Sequence, residues 1–133
     1  MKLSEGICIC CKNGIEDVTH LFAKCPAFES VWNYVLYLLK HFSVTSLLEF
    51  HMIVGFIEDD KKYDVVNMII SIARWIIWKR RCALKYEKNF VPEMPVMNEF
   101  KCSLKNHVVT VLTSKKVSNL DIKSAMVALR NML

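Results

Sequence analysis

Four side chains near the start of the chain have the types and spacing of a metal site: Cys8, Cys11, His20 and Cys25, arranged C-x2-C-x8-H-x4-C. Thiolate sulfur and imidazole nitrogen are ligands that zinc takes, and two thiols separated by two residues, then a histidine, then a thiol, can enclose one tetrahedral ion. Such a site is closed. Four protein ligands leave no position for water or substrate, so its chemistry is structural rather than catalytic. Cys10 stands beside Cys11 and offers a second register for that ligand. The competing reading is a set of reduced cysteines buried as small apolar side chains. Four potential ligands within eighteen residues favour the metal, and Zn2+ is the ion expected.

The local backbone must meet two demands to bring these atoms together. Between the thiol pair and the histidine the chain reverses, and Asn13-Gly14 supplies a turn at little steric cost. From His20 to Cys25, five steps of an α-helix leave the side chains about 140° apart, so a regular helix cannot aim both at one ion. The helix is therefore expected to tighten or end before Cys25. Pro26 restricts Cys25 to extended conformations and is well placed to open the next helix.

Cys8-x2-Cys11, Glu16, His20-Leu21-Phe22-x2-Cys25-Pro26 and Val31-Trp32 together resemble the zinc-binding domain at the C-terminal end of non-LTR (LINE-type) retrotransposon reverse transcriptases. Ile72-Ala73-Arg74-Trp75-Ile76-Ile77-Trp78-Lys79-Arg80-Arg81 looks like the tryptophan-and-arginine helix that follows it there. The resemblance covers the first ninety residues or so and ends before Pro95. It implies a non-catalytic part of a polymerase polyprotein, one that helps hold template RNA or target DNA. The polymerase's own aromatic-x-Asp-Asp motif is absent, since Ile57-Glu58-Asp59-Asp60 lacks the aromatic in register.

With 133 residues, 53% hydrophobic and 23% charged, the chain reads as one globular domain. Residues 1–42 form the zinc-binding region with its first packing helix, and residues 43–133 a helical region of the same domain. No run of eighteen apolar residues and no secretory leader are visible, so an intracellular, reducing location, nucleus or cytoplasm, is expected and no membrane contact. Charge is uneven. Residues 1–60 hold four lysines against eight acids, net −4; residues 61–133 hold fourteen cations against five acids, net +9. A polyanion would meet the second half.

Apolar residues recur at helical spacing from Pro26 to His41, and Trp32 falls on that inward face as core. Ser43–Gly55 reads as a shorter helix with Ser46 and Glu49 as its capping box and Gly55 after its last turn. Glu58-Asp59-Asp60 suits the start of the next helix rather than a two-metal site. Lys61–Lys88 lacks Pro and Gly, has the widest apolar arc and should be the central helix. After the Pro92–Pro95 break come two more helices, the last capped by Ser118 and burying Leu120, Ile122, Met126, Leu129 and Leu133. His107 has no thiol near it, and Glu99-Phe100-Lys101 is a chance likeness to a nuclease triplet. No strand alternation is sustained. The expectation is all-α: a zinc knuckle packed on a bundle of five or so helices.

The basic end of the long helix, Trp78, Lys79, Arg80, Arg81 and Lys85, is the expected nucleic-acid contact, with Trp78, Arg81 and Lys85 on one exposed strip. Cations that merely complement the helix dipole are the plainer alternative. The other functional class is a zinc-stabilised structural or protein-interaction module, to which seven methionines lend adaptable surface. RNA or DNA, and a parent polymerase or other protein, are thus the expected partners.

Overall fold

The computed structural model describes residues 2–114 and 120–133. Ser118, the expected cap of the last helix, lies outside the described residues. A short hairpin comes first: β1 (Lys2–Ile7) pairs antiparallel with β2 (Ile15–Asp17). Lys2 stands opposite Asp17 and Ile7 opposite Ile15, so the ladder is interrupted by a bulge. The described residues are mostly helical, as expected, and this short hairpin is an addition to that all-α expectation. With strands of six and three residues and a bulge between them, the alternation is too short to register as a period.

Five α-helices follow: α1 (Glu29–Lys40), α2 (Glu49–Ile53), α3 (Lys62–Tyr86), α4 (Val96–Thr113) and α5 (Leu120–Met132). At 25 residues α3 is about 37 Å long, and it packs against each of the other four. Its buried face is Val65, Val66, Ile69, Ile70, Ala73, Ile76 and Ile77. Around it close Val31, Val35, Leu38 and Leu39 of α1, Phe100, Leu104 and Val108 of α4, and Met126 and Leu129 of α5. Cys8, Leu21 and Cys25 belong to the same core, so the metal region and the bundle share one interior. Trp32 is buried, as its helical position predicts. Leu120, expected inside, is exposed because it is the first residue of α5.

The capping box expected at Ser46 does not form. Val44 is buried and its N–H bonds back to Leu39 O at 3.1 Å, so residues 44–48 run non-helically toward the metal region. There α2 packs against the turn of His20–Lys24. Leu48 precedes α2, and His51 Nδ1 accepts its N–H at 3.1 Å. Gly55 does end α2, at φ +96°, and its N–H bonds His51 O at 2.9 Å. Asn67 of α3 then clamps the next residue, accepting from Phe56 N–H at 2.7 Å and donating to Phe56 O at 2.9 Å. Asp60 opens α3 by accepting from Lys62 N–H at 3.1 Å, the role expected of the acidic trio.

Candidate metal centre

The hairpin holds the first two candidate ligands, Cys8 and Cys11, at its tip. Cys8 N–H bonds Gly14 O at 3.0 Å and Lys12 N–H bonds Cys8 O at 2.8 Å, which folds Cys8–Gly14 into a compact loop. Two left-handed residues, Lys12 at φ +59° and Gly14 at φ +78°, make the reversal. Gly14 has a second duty. A Cβ there would sit 3.2 Å from His20 Cε1 and 3.4 Å from Nδ1, so glycine lets the loop lie flat against the imidazole.

The other two candidate ligands come from a turn that opens rather than tightens. His20–Lys24 is a π turn, and Cys25 N–H bonds His20 O at 2.6 Å. A π turn closes residue i onto i+5, which is the interval between His20 and Cys25, and so removes the angular mismatch of an α-helix. The expectation that the helix tightens is therefore replaced by a widened turn that ends with Cys25 extended, at ψ 121°. Asp17 Oδ1 accepts His20 N–H at 2.7 Å and starts the turn. Pro26–Phe28 then continues as a 3₁₀ turn into α1.

Cys8 Sγ, Cys11 Sγ, a ring nitrogen of His20 and Cys25 Sγ all lie within 4.8 Å of one another. Cys8 and Cys25 sulfurs are 3.9 Å apart, and Cys11 Sγ is 3.3 Å from His20 Nε2. Zn–S bonds of about 2.3 Å in a tetrahedron imply sulfur–sulfur edges of about 3.8 Å, close to the Cys8–Cys25 separation, and the cluster is compatible with a metal site. Cys8 and Cys25 are buried and Cys11 and His20 half-buried. Cys11, rather than Cys10, joins the cluster. Burial, and then the neighbouring Cys8, push the Cys10 thiol up to about 12. Burial likewise raises Cys25, against a lowering hydrogen bond from Ala27 N–H. Thiols crowded in this way become thiolates readily only when a cation shares the space.

Behind the ligands lies an ion pair that joins the loop to α3. Glu16 and Arg81 are 1% and 3% exposed. Arg81 donates to Glu16 Oε1 from Nε at 3.0 Å and from Nη2 at 2.6 Å, while Ile9 N–H donates to Oε2 at 3.1 Å. Burial alone would raise the Glu16 carboxyl. The hydrogen bonds from Arg81 and Ile9, with the guanidinium charge, outweigh it and hold the group below its usual range. Phe22 of the π turn stacks on Trp78 with centroids 6.4 Å apart, and Arg81 lies 4.9 Å over the same indole.

This corrects the expected strip of Trp78, Arg81 and Lys85. Arg81 faces inward because a buried carboxylate sixty-five positions away requires it, and Trp78 is half-buried against Phe22. Arg80 is tied to Glu99 at 2.9 Å and to Met94 O at 3.1 Å, and Lys79 reaches the same carboxylate at 3.5 Å. Lys85 is exposed, as expected. The sequence reading did not find Glu99 as a partner for these cations; its nineteen-residue separation from Arg80 leaves no periodic signal.

No helix among the described residues is long and apolar enough to cross a membrane. No protein-family model, curated protein or solved structure matches this chain.

Proposed function

We propose that the chain is a zinc-stabilised, non-catalytic accessory domain that holds nucleic acid through its backbone phosphates, as the resemblance to the tail of non-LTR reverse transcriptases implies. The observation that carries this reading is the convergence of the two resembling stretches. Glu16 of the first meets Arg81 of the second, and Phe22 of the first stacks on Trp78 of the second. These contacts join the two resembling stretches into one unit, which supports reading them as parts of the same domain.

Zinc is the ion these ligands favour, with three thiolates and one imidazole filling a tetrahedron. Cys8, Cys11, His20 and Cys25 bind it; its contribution is to fix the hairpin against the π turn and, through Glu16, against α3. Polyanion binding is supported by the +9 balance of residues 61–133 and by exposed Lys85, Lys88, Lys101 and Lys105.

Binding of oligonucleotides measured across a salt series tests the reading. Affinity should fall steeply with salt, by about 0.9 log units per log unit for each duplex phosphate neutralised and about 0.7 on a single strand. One observation favours the second reading, a protein-interaction module. An open cleft of about 850 Å3 between α3 and the 87–95 segment is lined by Trp75, Tyr86, Phe90, Val91 and Met94 among others. Trp75 is 59% exposed there. A partner seated on such a surface would be insensitive to salt, and salt-insensitive binding would move the conclusion to it.

A further inference from the structure

A second surface, on α1 and α4 rather than on the end of α3, joins aromatic rings to unpaired cations. Tyr34, Tyr37 and His41 follow helical spacing along α1. Tyr34 and Tyr37 stack with centroids 5.8 Å apart, and His41 meets Tyr37 edge-on at 5.2 Å. Tyr34 also packs edge-on against buried Phe100 of α4, 6.2 Å between centroids, which ties the row to the core. Tyr37 is 53% exposed, so one ring of a braced row faces solvent.

Across from it, Lys101 of α4 lies 4.6 Å over the Tyr34 ring, and Lys105 follows one turn later on the same face. Both lysines are exposed, and neither is in an ion pair among the described residues. The only acid in α4, Glu99, is occupied by Arg80 and Lys79, and α1 has no acid after Glu29 at its start. The shared face is therefore positive wherever it is charged beyond that first turn.

We infer that this face is a binding surface for single-stranded nucleic acid, with Tyr37 stacking on a base and Lys101 and Lys105 on neighbouring phosphates. This rests on the nucleic-acid reading above and supplies its contact surface. Rigid aromatic faces beside cations suit single strands, whose bases expose their faces, whereas a duplex keeps its bases stacked inside. A braced ring also loses little freedom on binding.

The test compares a fluorescent oligothymidylate with a duplex of the same length, on the full chain with zinc bound. Tyr37→Ala should weaken the single strand by about fivefold or more, given the usual worth of one stacked base, and leave the duplex unchanged. Tyr37→Phe keeps the ring and should retain binding. Lys101→Gln with Lys105→Gln should lower the single-strand salt slope by about 1.4. Unchanged zinc content and melting temperature establish that each variant is folded. If the wild type binds with a salt-dependent affinity that these substitutions do not alter, this surface is wrong and nucleic acid is held elsewhere. If the wild type binds neither oligonucleotide, both the surface and the nucleic-acid reading fail.

Discussion

Arg81 reaches Glu16 across sixty-five positions of sequence with two hydrogen bonds to one oxygen, while the other oxygen of Glu16 accepts Ile9 N–H inside the loop between Cys8 and Cys11. The metal loop and the central helix are thus joined by one carboxylate, buried on both sides. Its removal should be felt at the ligands as well as in global stability.

Arg81→Met leaves Glu16 as a buried, uncompensated charge and should cost about 3–5 kcal/mol. Glu16→Gln with Arg81→Met removes both charges while Gln can still accept Ile9 N–H, and should recover most of that loss. A double-mutant cycle by urea unfolding of the zinc-bound protein measures the coupling. A double variant destabilised by the sum of the two single variants would mean that the pair is not coupled.

The same pair sets an acid limb. Glu16 has its folded pKa depressed, so its contribution is fully present above its unfolded value, near 4.5, and is lost as pH falls through the lower folded value. Zinc ligands also protonate in acid, so the comparison is between wild type and Glu16→Gln, whose stability should fall less steeply below that pH. Parallel profiles would contradict it.

Gly14→Ala should lower zinc affinity, because the new methyl presses on the His20 ring and φ +78° costs about 1–2 kcal/mol for any residue with a Cβ. Gly6→Ala is the control, as a Cβ there meets nothing within 4 Å. Competition with a chromophoric chelator measures both. Equal affinities would show that the loop yields freely.

Zinc is bound by thiolates, so binding should release protons and the logarithm of apparent affinity should rise with pH. Cys11→Ser should reduce that slope and the zinc content; Cys10→Ser should leave both intact. Loss of zinc from Cys10→Ser instead would transfer the ligand to Cys10.

The clustering of Cys8, Cys11, His20 and Cys25 was legible in the sequence because a metal site needs particular atoms at short spacing, and α3 was legible because 25 residues of helical periodicity leave little ambiguity. The angular conflict between His20 and Cys25 was visible too, but not its resolution: tightening and widening both break an α-helix, and the choice depends on where the hairpin places the thiol pair. The direction of Arg81 was hidden for another reason. One turn of helix carries Lys79, Arg80 and Arg81 side by side, and which of them turns inward is decided by Glu16 and Glu99, far away in sequence.

One zinc ion is expected on Cys8, Cys11, His20 and Cys25. Metal analysis of protein purified without chelators, followed by X-ray absorption at the zinc edge, tests it most directly. The expected result is one zinc per chain with three sulfurs at about 2.3 Å and one nitrogen at about 2.0–2.1 Å. Well under one zinc per chain, or a shell of four sulfurs with Cys10 in place of His20, would contradict it.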